Sequence, residues 1–242
     1  PLNSAIVSLS QVAKRFNMLK TKGSWYPKDV IVQAVYLKLR FSLSYRDIEE
    51  ILKDRGLGVD HATIQRWVIK YTPELERSFQ RKKRPIGGRW RLDETYIKVK
   101  GMWTYYYRAV DKQGNTVDFF LSNRRNKTAA KRFLAKAINR NSQPSIVNID
   151  KSGANKAGIL RYNFLKRKRI KIRQSKYLNN IVEQDHRFIK KMTRPMLGFK
   201  SQEAAAITLA GIEVVQMIRK SQIYSSIAKS RSVPEQFRLL AA

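Results

Sequence analysis

The chain has 242 residues, 43% of them hydrophobic, and 50 Lys and Arg against 18 Asp and Glu give a formal charge of +32. Self-repulsion on this scale is relieved by an anionic partner, and DNA or RNA is the obvious one. The cations are scattered rather than set beside an apolar anchor, and the longest apolar run, 204–212, is too short to span a bilayer, so no membrane role is expected. No cysteine is present and there are only two histidines, which excludes disulfides and thiolate metal sites and disfavours zinc.

Residues 1–24 carry weak signals and are expected to form an N-terminal extension. Pro27 then opens an apolar-periodic stretch through Val30, Ile31, Ala34, Val35 and Leu37, which predicts a helix. "SYRDIEEILKDRG" (44–56) has a capping serine, apolar Ile48, Ile51 and Leu52, and a terminating Gly56. "GLGVDHATIQRWVIKY" (56–71) predicts a turn and a second helix capped by Asp60. Two short helices about a glycine turn, in so basic a chain, predict a helix-turn-helix over 25–72. Trp67 is expected in its core, with His61, Gln65 and Arg66 facing a DNA groove. The basic, Pro- and Gly-containing stretch 73–88 reads as a linker. Net charge is +9 over 1–88 and +23 over 89–242, so DNA contact is not confined to the N-terminal helices.

After residue 88 the apolar period changes. Runs at 90–100, 103–111 and 116–122 predict hairpin strands, with Gly101 and Gly114 in the turns. A helix at 127–139, a strand at 145–150, a helix near 154–165, a strand at 169–174 and a helix from about Asn180 follow. This order predicts an α/β fold: a ribonuclease-H-like mixed sheet with flanking helices over 89–200, then a C-terminal helix and tail over 201–242.

Three acids stand out within it. Asp93 lies inside the first strand, where an unpaired carboxylate would be costly to bury. Asp150 ends the fourth strand and is the only acid between residues 119 and 182, among 17 Lys and Arg. Glu183 lies in the helix "NNIVEQDHRFIKK". Asp150 as a helix cap and Glu183 as a solvated residue are the plain alternatives. Taken together, three oxygen ligands on neighbouring elements would hold two Mg²⁺ ions about 4 Å apart for phosphoryl transfer. At about 100° per residue, Glu183, His186, Arg187 and Lys190 share one helical face, placing three potential phosphate contacts beside a carboxylate. Glu94, by strand alternation, faces away from Asp93.

The stretches "SYRDIEEIL", "GVDHATIQRWV", "RLDETYIKVKGMWTYYYRAVD", "LSNRRNKTAAKRFL", "NIDKSGANK" and "KYLNNIVEQDHRFIKK" closely resemble the small bacterial transposases of insertion sequence family six, from about residue 25 to 220. The resemblance implies a DDE-type enzyme whose triad falls on Asp93, Asp150 and Glu183, with its basic companion on Lys190 and further DNA contacts at Arg124 and Arg125. It implies two Mg²⁺ ions, replaceable by Mn²⁺, and double-stranded DNA as partner, both terminal inverted repeats and target. A homodimer or larger assembly in the bacterial cytoplasm, associated with the nucleoid, is expected. Such enzymes free 3′-hydroxyls at the element's ends and join them to target DNA, often producing cointegrates. The alternatives are an inactive DNA-binding regulator or architectural protein on the same fold, or a structure-specific nuclease.

Overall fold

The computed structural model describes residues 25–151, 153–175, 177–223 and 231–241; the expected extension at 1–24 lies outside them. Three helices come first: α1 (Lys28–Arg40), α2 (Tyr45–Asp54) and α3 (His61–Lys82). Ser44 and Asp47 form a reciprocal capping box at the start of α2, and Asp60 caps α3 by accepting from the Thr63 N–H. Between the two helices Gly56 takes φ +75°, a left-handed turn that suits glycine.

The stretch expected to be a linker is mostly helix. Helix α3 runs through Pro73 to Lys82, because buried Trp67, Val68, Tyr71, Leu75 and Phe79 keep the helical period across the proline. Proline lacks an N–H and strains one turn, but burial of a continuous apolar stripe outweighs that local cost.

Strands β1 (Arg89–Val99), β2 (Met102–Asp111) and β3 (Thr116–Ser122) form an antiparallel meander. Helix α4 (Lys127–Arg140), strand β4 (Ile146–Ile149), helix α5 (Gly153–Lys166) and strand β5 (Lys171–Gln174) follow. The sheet order is β3-β2-β1-β4-β5, with β4 parallel to both β1 and β5. This is the ribonuclease-H-like mixed sheet expected from the sequence. A short 3₁₀ turn at Tyr177–Asn179 leads into α6 (Asn180–Thr193), and α7 (Gln202–Arg219) and α8 (Val233–Ala241) complete the order.

Strand β1 changes its buried face along its length. Trp90 and Leu92 pack with α4 and α5 residues such as Phe133, Leu134 and Ile159, whereas Ile97 and Val99 join the opposite core. That second core is continuous with the N-terminal helices: Ile31, Val35, Leu39, Trp67 and Phe79 share it with Leu209, Ile212 and Val215 of α7 and Phe237 of α8. Gly211 lets α7 approach this closely, since a Cβ there would lie 2.5 Å from Leu39 Cδ2 and 2.8 Å from Thr72 Cγ2. The N-terminal helices are therefore packed into the body of the protein. Among the described residues, no helix is long and apolar enough to cross a membrane.

Candidate active site

Parallel pairing of β1 with β4 covers only Arg89–Arg91 against Ile146–Asn148. Continued two residues along both strands, this register sets Asp93 level with Asp150 on one face, where the ladder has ended and the strands are free to diverge. Helix α6 lies against β1 and presents Glu183 in its first turn. Two features fix that helix. At its start, buried Asn179 donates to the Leu92 carbonyl at 3.4 Å and accepts from Asn148 Nδ2 at 3.0 Å, tying α6 to β1 and β4 next to both aspartates. In its middle, Asp185 pairs with Lys220 and lies 3.4 Å from Arg108.

Arg108 is the register partner of Asp93 on β2 and is fully buried. Its Nε lies 2.6 Å from Glu213 Oε1 and its Nη2 donates to Oε2 at 2.9 Å, while Tyr106 donates its hydroxyl to the same carboxylate. Burial alone would lower the Arg108 pKa, but the charges of Glu213 and Asp185 more than offset it and the net shift is upward. A permanently charged strut thus links β2, α6 and α7 beneath the carboxylates.

Burial, reinforced by the negative charges of Glu94, Asp150 and Glu183, pushes the Asp93 carboxyl up to about 7. Asp150 and Glu183 therefore each lie within electrostatic reach of Asp93. Among the described residues, no three carboxylates or imidazoles are already drawn together as a ligand cage. The oxygen-only donor set and the crowding that holds Asp93 near neutrality both fit a hard divalent cation, which would relieve the repulsion. A folded pKa above the usual carboxylate value means that ionising Asp93 costs stability as pH rises from about 4 through 7. Asp93→Asn removes that cost. Metal-free thermal unfolding should therefore show the variant more stable than wild type at pH 8, on the order of 2 kcal/mol, and nearly equal to it at pH 4.5. A lower melting temperature for the variant at pH 8 would contradict this account.

The helical face expected to hold Glu183, His186, Arg187 and Lys190 is split. Glu183 and Arg187 are exposed and Lys190 is half-buried, but His186 is buried, with Nδ1 3.5 Å from Asp93 Oδ2. Burial and the nearby Arg108 and Lys190 charges push its imidazole down to about 3, so it is neutral. His186 faces a carboxylate and cannot be the phosphate contact expected from helical spacing, because α6 presses that side against β1. Arg124 stands exposed in the loop before α4, whereas Arg125 is paired with Glu94. Glu94 does face away from Asp93, toward α5, and accepts from Asn155 Nδ2 at 2.7 Å. On α3, Gln65 and Arg66 are exposed and Trp67 is buried, as expected. His61 is exposed too, but its Nδ1 lies 2.8 Å from Glu49 Oε2, so the ring joins α3 to α2 rather than standing clear.

A family model described as a DDE domain, of the IS240 transposase type, matches residues 87–222. The transposase for insertion sequence-like element IS431mec of Staphylococcus aureus (strain N315) is 41% identical over 201 residues, spanning 81% of this chain and 86% of the relative. The chain belongs to the transposases of insertion sequence family six. The transposase for insertion sequence element IS257 in transposon Tn4003 of Staphylococcus aureus matches to the same extent, 41% over 201 residues. Among solved structures, the HTLV-2 integrase catalytic core domain in complex with magnesium (trimeric form) is similar at 15% identity, covering 54% of this chain and 86% of that one, with a TM-score of 0.43. The DDE domain of this family six transposase implies use of a divalent metal.

Sequence reasoning missed the Asn148–Asn179 clamp and the Arg108–Glu213 strut. Their only signals were an asparagine two places before Asp150 and a glutamate at the end of an apolar helical run, neither informative without the partner.

Proposed function

We propose that the protein binds the terminal inverted repeats of its element, frees 3′-hydroxyls at the ends and joins them to target DNA, with Asp93, Asp150 and Glu183 as its catalytic carboxylates. What supports this reading is that Asp150, after β4, and Glu183, on α6, lie close enough to Asp93 on β1 for their charges to act on it, in a chain of charge +32. Together they would hold two Mg²⁺ ions, with Mn²⁺ able to substitute. When bound, the metal supplies activation of the attacking oxygen and charge stabilisation of the leaving one. The protein's own residues do the rest. Neutral His186 steadies Asp93, the Asn148–Asn179 clamp sets the start of α6, and Arg187 and Lys190 engage phosphates beside the cut. Two ends must be held together, so the working form is a homodimer or larger assembly, in the cytoplasm with the chromosome.

The test is incubation of the protein with DNA carrying the element's ends, with and without Mg²⁺. Metal-dependent joining of 3′-ends to a second DNA is expected. Binding without joining would favour the regulator reading, and cleavage at junctions without joining would favour a nuclease.

Repeat recognition is assigned to α3. Its exposed Arg66 donates to Thr63 Oγ1 at 2.7 Å, which orients the guanidinium along the helix surface. Arg66→Ala should weaken binding to the element's ends more than to random DNA, since a lost base contact costs about 1–3 kcal/mol. Competition binding decides this: equal losses on both DNAs would reduce Arg66 to a phosphate contact.

A further inference from the structure

Beyond Glu94, Tyr96 and Lys98, on the face of β1 that carries Trp90 and Leu92, line a groove of about 740 Å³ with Lys190 and Thr193 of α6 on its other side. Tyr96, Trp103 and Tyr105 line one side; Lys98, Lys190 and Arg194 supply its cations, and among the described residues no carboxylate lines it. The rings form a cluster, with Tyr96 centred 5.3 Å from Tyr105 and 6.5 Å from Trp103. Large apolar surface is left in water here: Trp103 is 66% exposed and Tyr96 45%. The far wall is tightly built. Phe199 bonds across to Lys98 and Lys100; Gly198 takes φ +102°, and a Cβ there would lie 3.2 Å from the Lys98 carbonyl oxygen, so both the angle and the space suit glycine.

Aromatic faces ringed by cations, in a volume typical of small-ligand pockets, match the chemistry of a nucleobase with its phosphates. A partner protein would meet the same rings, but it would bring no general reason for three cations and no acid. We propose that this groove holds an unpaired nucleotide of the DNA strand running through the active site, its base stacked on Trp103 and Tyr96 and its phosphates met by Lys98, Lys190 and Arg194. The assignment rests on the reading that the protein processes DNA ends. It adds a position. Lys190 lies two helical turns, about 10 Å, from Glu183, and Tyr96 lies three strand residues, about 10 Å, from Asp93. The unpaired base thus falls within a few nucleotides of the cut phosphate.

The experiment compares the full-length protein with Trp103→Ala and Trp103→Phe for binding to labelled dT12 and to a 12-base-pair duplex. Fluorescence anisotropy at a fixed salt of about 0.2 M limits the non-specific charge contribution. Trp103→Ala should weaken dT12 binding about ten-fold, leave duplex binding within about two-fold, and be rescued by Trp103→Phe, which retains a stacking ring. Unchanged dT12 affinity in Trp103→Ala, or equal losses on both DNAs, would overturn the proposal. So would a change in sedimentation of Trp103→Ala with dT12 affinity intact, because the groove would then cover a second copy of the chain. A parallel strand-transfer assay on wild type separates the two readings. Its failure with the dT12 pattern intact rejects the transposition chemistry but not the groove, and the reverse result rejects the groove alone.

Discussion

Asp150→Asn is expected to abolish strand transfer while leaving binding to the element's ends within a few-fold of wild type. The substitution keeps the size of the side chain and removes only the negative oxygen that would meet a cation. Asp150 follows β4 directly, and its charge reaches Asp93. Charge stabilisation by a bound metal contributes several kcal/mol to a phosphoryl-transfer transition state, and each 1.36 kcal/mol is a factor of ten, so a loss of about three orders of magnitude is expected. The residue is not a core element, so melting temperature should hardly move. Strand transfer within ten-fold of wild type in Mg²⁺ would remove Asp150 from the metal site, and loss of end binding as well would make its role structural.

Glu213→Leu is expected to be the most damaging single change to the fold. Both members of the Arg108–Glu213 pair are fully buried, so removing the carboxylate leaves a guanidinium with Asp185 alone at 3.4 Å and a Tyr106 hydroxyl without its acceptor. Breaking a buried pair from one side costs about 3–5 kcal/mol, which for a chain of this size is a melting shift of about 10 °C. The double change Arg108→Met with Glu213→Leu should recover most of that loss, because a well-packed apolar pair of similar volume replaces the ions without stranding a charge. Scanning calorimetry of the two variants decides it. If the double variant is no more stable than the single one, the cost of losing Glu213 lies in packing, not in the uncompensated arginine.

The order of strands and helices was legible in the sequence because it rests on local signals, and the three acids stand out by equally local ones. Alternation marked β1 to β3, and the isolation of Asp150 among 17 cations marked it as an exception. What was not legible depends on partners far away in the chain. His186 was assigned to DNA from helical spacing, but spacing gives angles around an axis and not which angle meets the sheet. Arg125 is paired with Glu94, a partner 31 residues away that no local reading supplies. Residues 73–88 looked like a linker because proline and basic residues are read locally. The apolar stripe through Phe79 has a reason only once α7 is there to cover it.

The shared interior of α1, α3, α7 and the outer half of β1 fixes one length in this molecule. Because helix α3 and the sheet are parts of one packed solid, the base pairs that Gln65 and Arg66 are proposed to touch and the bond that Asp93 is proposed to approach would sit like marks on the two jaws of a locked caliper. No slack exists to absorb an altered spacing. Five extra base pairs, about half a turn of the duplex, would carry the scissile bond to the far side of the DNA from the jaw that should meet it. On the proposed reading, the place of the cut would be measured from the repeat by the protein's own body, and the letters at the cut itself would need to carry little of the address.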